Sequence, residues 1–163
     1  MTFAASLLRI ALGYIFLWAF IDKLFGLKFN TCKGLAVSCK QAWLHGGSPT
    51  AGFLGHATSG PLANLYHHLS GHAWVDWLFM LGLAFVGIGL LFGTWTRAAS
   101  AAGIAMLLLM WSALLWPANA PGVDEHIIYA VALVGIFLSV PTAWSLNSAW
   151  QRTPIAKYLP ILR

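Results

Sequence analysis

Four stretches of this chain, residues 3–25, 73–92, 98–116 and 126–140, are apolar and nearly free of charge. Hydrocarbon offers a backbone no hydrogen bonds, so a segment within it must satisfy its own N–H and C=O groups, as a helix or in a closed barrel. A crossing helix takes about 20 mainly apolar residues. Barrel strands would alternate polar and apolar positions, and these runs do not. The expected fold is all-α: a polytopic membrane protein, a four-transmembrane-helix bundle forming one membrane domain over residues 1–163. Composition agrees, since 60% of residues are hydrophobic and 8% charged, more apolar surface than a soluble domain of this length could bury. Basic residues outnumber acidic ones nine to four. They are scattered and not clustered with aromatic residues, so no nucleic-acid partner is expected.

The connections shape the bundle. The turn at 93–97 is too short for anything but antiparallel neighbours, and Gly89 and Gly93 form a GxxxG step toward Ala98, Ala101, Ala102, Gly103 and Ala105, small residues of the kind that let membrane helices approach. Arg9 interrupts the first apolar run, and no small-residue cleavage site precedes Asp22, so this run is expected to be a retained helix and not a signal peptide. The loop 26–72 is long enough to suggest function. Its Phe53, Leu54, Leu62, Leu65 and Tyr66 suit short interfacial or re-entrant helices. Trp144, Trp150, Arg152, Lys157 and Tyr158 make the tail 141–163 an interfacial anchor.

Four crossings place both termini and the 93–97 turn on one side. That side carries Arg9, Arg97, Arg152, Lys157 and Arg163 and no acid, while the loop side sets Lys23, Lys28, Lys33 and Lys40 against Asp22, Asp76, Asp124 and Glu125. Counting basic residues alone barely orients the chain. Cys32 and Cys39 tip the balance: both lie in the long loop at a spacing that can close as a structural disulfide in an oxidising compartment. The orientation that follows has an extracytoplasmic loop and both termini in the cytoplasm, in a prokaryotic plasma membrane. The alternative is two unpaired thiols facing the cytoplasm.

Charges at membrane depth are expensive and mark function by default. Asp22 and Lys23 end the first apolar run, Asp76 begins the second, and Asp124, Glu125 and His126 begin the fourth, with Trp77 and Trp116 nearby. One reading is helix-dipole complementation and an interfacial tryptophan belt. The other is a polar pocket whose catalytic groups are Asp76, Asp124, Glu125 and His126. Arg9 either snorkels to the interface or faces inward to hold an anion, a ring carbonyl or backbone. His68, His72 and Asp76 are spaced four apart, but Ser70 and Gly71 interrupt a common helix, with Ser70 the expected N-cap of the second crossing. No metal site is expected.

The segments LLRIALGYIFLWAFIDKLFG, GIGLLFGTWTRAA and WPANAPGVDEHIIYAVAL resemble the DoxX/DoxD family of small four-helix membrane proteins. The long loop is most similar to the DoxD-like branch, which resembles the membrane subunit of thiosulfate:quinone oxidoreductase. By matching position, Arg9, Gly13, Lys23, Gly93, Arg97, Asn119, Asp124 and His126 correspond to family residues. Many relatives carry a glutamate after the glycine matching Gly82, whereas this chain has Leu83.

The resemblance implies a membrane subunit of a quinone-linked oxidoreductase acting on a reduced sulfur compound such as thiosulfate. Quinone would be the electron acceptor and the lipid bilayer the medium, with a second membrane or extracytoplasmic subunit as a further partner. Arg9, Lys23, Trp77 and Trp116 would bind substrate or quinone, and His126 with Asp124 or Glu125 would supply protons. No haem, flavin or iron–sulfur motif is present. A quinone-linked thiol oxidase is a second possibility, although a single cysteine pair cannot run a two-disulfide relay. A non-catalytic integral subunit, or an assembly or carrier protein of a larger complex, is the third.

Overall fold

The computed structural model describes residues 3–33, 40–117, 120–140, 143–153, 156 and 158. Cys39, Asn119, Lys157 and Arg163, singled out above, lie outside the described residues. All regular structure described is helical. Helix α1 spans Phe3–Phe25, α2 Ala63–Leu69, α3 Ala73–Phe92, α4 Thr96–Ala113, α5 Glu125–Ser139 and α6 Asn147–Gln151.

Three of these helices, α1, α3 and α4, are long and apolar enough to cross a membrane, the character of an integral membrane protein. Helix α5 is apolar but has 15 residues. At 1.5 Å per residue it reaches about 22 Å, short of a hydrocarbon core of about 30 Å. Helix α4 starts and stops earlier than its apolar run, because hydropathy registers solvent preference and not backbone bonding. The carbonyl of Ala113 accepts from the Ser59 N–H at 2.9 Å, and Pro117 disfavours helical geometry at the residue before it.

One apolar core is shared by α1, α3, α4 and α5, with Phe16, Met80, Val86, Leu90, Leu107 and Leu133 among its members. The opposite faces stay apolar and exposed, as at Tyr14, Leu78, Leu81, Leu109, Val131 and Leu138. A helix apolar on every side suits lipid, where neither face gains by being polar. Leu83 is a buried core residue.

Helices α1 and α3 approach backbone to backbone at two glycines. A Cβ on Gly13 would collide with the backbone of Leu90 and Leu91, and one on Gly87 would lie 2.6 Å from the amide nitrogen of Leu17. Gly89 does face α4, against Ala99 and the Trp95 ring, but Gly93 serves differently. It ends α3 in the left-handed conformation, with φ +65°, which glycine adopts without penalty.

The connection 26–72 is not a plain loop. It carries a short turn of 3₁₀ helix at Trp43–His45, a wide helical turn at Phe53–Ala57, and α2. Tyr66 fastens α2 to the end of α4, its hydroxyl 3.1 Å from the Leu109 carbonyl and 2.5 Å from Ser112 Oγ. Leu54, Tyr66 and Ala113 make a second small core there. Helix α3 is N-capped at His72, and Ser70 instead closes α2. The break falls between them because Gly71 has φ +80°, which neither helix accommodates.

Candidate functional site

Two ends of the bundle hold its buried charges, and they are built differently. At one end, Arg9 is completely buried. Its Nη1 donates to the Leu90 carbonyl and, at 3.3 Å, to that of Leu91, while Nη2 donates to Ala143 and Trp144 at 3.1 Å each. A helix leaves its last carbonyls without intrahelical partners. Here Arg9 takes two of them, the Leu146 N–H takes Phe92 at 2.8 Å, and Ser145 Oγ takes Gly93 at 2.6 Å. The inward option for Arg9 is therefore realised on backbone. The tail packs there too, with Trp144 at 4.8 Å from Phe3 and Trp150 at 4.9 Å from Trp95.

At the other end, Asp22 and Asp76 hold loops. The Asp22 carboxylate accepts from the backbone N–H groups of Phe29, Asn30 and Thr31 at 3.2, 3.0 and 2.8 Å, folding the chain back after α1. Asp76 Oδ1 accepts from Ser48 Oγ at 2.8 Å, Thr50 Oγ1 at 2.6 Å and Thr50 N–H at 3.2 Å. Ser48 and Thr50 are partners that the sequence reading missed, since nothing in a Ser–Pro–Thr step announces an acid 26 residues away. Cys32 is buried and disulfide-bonded.

The Asp124–His126 pair is of another kind. The turn before it is pinned by Trp111, whose Nε1 donates to the Gly122 carbonyl at 3.1 Å. Asp124 then caps α5, its Oδ1 accepting from the N–H of His126 at 3.0 Å and of Ile127 at 3.2 Å. Its Oδ2 lies 2.7 Å from His126 Nδ1. A carboxylate only accepts, so Nδ1 carries the hydrogen and neutral His126 presents Nε2 as an acceptor. Among the described residues Nε2 makes no hydrogen bond. His126 is 9% exposed. Glu125 is exposed, and one donor atom from each of Asp124, Glu125 and His126 lies within 4.8 Å of the others.

Burial opposes ionisation of Asp124, but the His126 ring hydrogen bond, the Ile127 N–H, the charge on His126 and the His126 N–H together hold its pKa below the ordinary 3.8. A carboxyl depressed by folding adds stability above its unfolded pKa and loses that contribution as pH falls through the lower folded value. Asp124→Asn keeps a capping oxygen without this titration. In thermal unfolding scans from pH 6 to pH 3, the variant is expected to lose less stability on acidification than wild type; parallel acid profiles would show that ionisation of Asp124 adds nothing to stability.

The expected residues are thus only partly gathered. Asp124 and His126 are paired. Among the described residues, no hydrogen bond or ion pair links Asp76 to them. Lys23 is half-buried and makes no hydrogen bond among the described residues, Trp77 meets Trp43 edge-on at 4.6 Å, and Trp116 is 73% exposed. Comparison with protein-family models, with curated proteins and with solved structures finds no match.

Proposed function

We propose that this protein is a DoxX/DoxD-like integral membrane protein in which α1, α3 and α4 cross the bilayer and α5 crosses where the bilayer thins to match its shorter length, serving as the membrane subunit of a quinone-linked oxidoreductase. Its donor would be a reduced sulfur compound such as thiosulfate. The observation that carries this reading is the Asp124–His126 pair, a carboxylate and an imidazole 2.7 Å apart at the start of an apolar helix. Asp124 fixes the tautomer and supports the charge His126 gains when it accepts a proton. The uncommitted Nε2 then suits hydrogen bonding to a quinone oxygen, and Trp77 and Trp116 supply exposed indoles for packing on a ring. Quinone accepts two electrons and two protons on reduction; the sulfur donor provides the electrons and His126 relays protons. The Cys32 disulfide is a clasp in this scheme.

A second reading, a non-catalytic subunit of a larger complex, is favoured by the fate of the other buried charges. Arg9, Asp22 and Asp76 are each engaged by the chain's own backbone or hydroxyls. The two readings separate in one experiment: quinone reduction by the purified protein in lipid nanodiscs, with thiosulfate, sulfite and a dithiol as donors. The catalytic reading expects turnover with thiosulfate that falls by about 10²–10⁴ in His126→Ala and persists in Cys32→Ser. Folded protein that turns over none of the donors removes the catalytic reading in favour of the second.

A further inference from the structure

Helix α1 carries a buried acid on the side that faces away from the bundle. Arg9, Leu12 and Phe16 are buried toward the core. Tyr14, Trp18 and Asp22 follow one another at four-residue steps on the opposite side. Tyr14 is exposed there, and its ring stacks on Trp18 at 6.0 Å. Asp22 continues that stripe, yet it is 2% exposed, because the chain just after α1 folds back over it. We infer that residues 26–31 form a hook that lies against the lipid-facing side of α1, its partner the phospholipids at the boundary between headgroups and acyl chains. The inference rests on α1 crossing the membrane and is independent of the redox role.

The reversal is built on one residue. The Asp22 carbonyl accepts from the N–H groups of Gly26 at 2.7 Å and Leu27 at 3.4 Å, and Gly26 takes φ +68° to turn the chain. The Asp22 carboxylate then accepts from Phe29, Asn30 and Thr31. The Phe29 ring meets Trp18 edge-on with centroids 5.0 Å apart. Trp18 lies two turns before Phe25 at the end of α1, about 10 Å along the axis, and helical side chains lean further toward the N-terminus. The hook therefore returns to the depth of α1's own interfacial aromatic residues, and buried Cys32, disulfide-bonded, follows it.

Two properties fit this segment to lipid. Its N–H groups are all satisfied within the chain: the five above by Asp22, and that of Lys28 by the Thr31 carbonyl at 3.1 Å. A loop in water has no need of this, whereas irregular backbone entering a membrane does. Its outer surface is also apolar, with Phe25, Leu27 and Phe29 exposed beside Tyr14, and Phe29 61% so. The apolar surface is thus continuous with the side of α1 that lipid covers. Lys28 is exposed between Leu27 and Phe29, and a lysine stem lets its ammonium reach the headgroups from that depth.

The test uses the full chain in lipid nanodiscs, with a thiol-selective nitroxide placed singly at Leu27→Cys, Phe29→Cys and Tyr14→Cys. Wild type taken through the same labelling gives the background. Power saturation compares collisions with oxygen, which concentrates in lipid, and with a neutral nickel chelate, which concentrates in water. Tyr14→Cys is the lipid reference and free label in buffer the water reference. Size exclusion identifies any variant that fails to fold, and the two hook positions stand in for one another.

The oxygen-to-nickel ratio at Leu27 and Phe29 is expected to rise above that of free label toward that of Tyr14. Adding Asp22→Ala, or Asp22→Asn where alanine does not fold, is expected to sharpen the spectrum of the Leu27 label as the hook is released. The inference is overturned if both hook positions read as free label while Tyr14 reads lipid, or if the Leu27 label is equally mobile with and without the carboxylate. Water-like readings at Tyr14 as well would remove the crossing of α1 itself, so the two failures are told apart.

Discussion

Arg9→Met is expected to lower the stability of this protein by about 3–5 kcal/mol, a drop in melting temperature on the order of 10 °C. Methionine fills much of the same space and removes the charge, so the loss isolates the hydrogen bonds. The carbonyls of Leu90, Leu91, Ala143 and Trp144 lose the donor they share, in surroundings where water is a poor substitute. Arg9→Lys should fall between the two, because an ammonium is compact and cannot bridge four acceptors as a planar guanidinium does. The check is thermal unfolding in one detergent for all three proteins. A methionine variant that melts with wild type would show that the clasp adds nothing to stability.

Gly13→Leu is expected to be more damaging still. A side chain at this position meets backbone, which cannot rotate away as a flexible side chain can, so α1 must separate from α3. Overpacking a well-filled core costs about 1–3 kcal/mol and more where nothing yields. Gly13→Ala should already fall in that range, and Gly13→Leu should leave little protein in the monodisperse peak of fluorescence-detected size exclusion. Gly135→Ala on α5 is the contrasting case. A Cβ there meets nothing within 4 Å, and replacing a mid-helix glycine by alanine gains about 0.5–1 kcal/mol. If Gly13→Leu elutes and melts as Gly135→Ala does, the close approach of α1 and α3 is not a determinant of the fold.

The sequence was most informative where one physical rule governs. The limits of α1 and α3 match their apolar runs because the ends of those runs coincide with helix-ending glycines, Gly26 and Gly93. The limits of α4 were less legible, since its final carbonyl is taken by Ser59 from the distant loop. The Asp124–His126 pair was readable because capping acts over two or three residues. Asp76 with Ser48 and Thr50, and Arg9 with its carbonyls, were not. Carbonyl acceptors leave no trace in residue identity, and a hydroxyl partner could lie anywhere in a loop.

The guanidinium near the start of the chain is completed by carbonyls 134 and 135 residues further on. During synthesis α1 enters the membrane long before Ala143 and Trp144 exist. Until they arrive, the Nη2 donors must draw on water and headgroups, which favours holding the Arg9 end of α1 near the bilayer surface. The segment at Ala143 and Trp144, made well after α1, therefore acts as a latch. A nascent protein truncated before Ala143 would carry α1, α3 and α4 and still leave the buried charge of Arg9 half-satisfied, a defect that a quality-control protease could recognise.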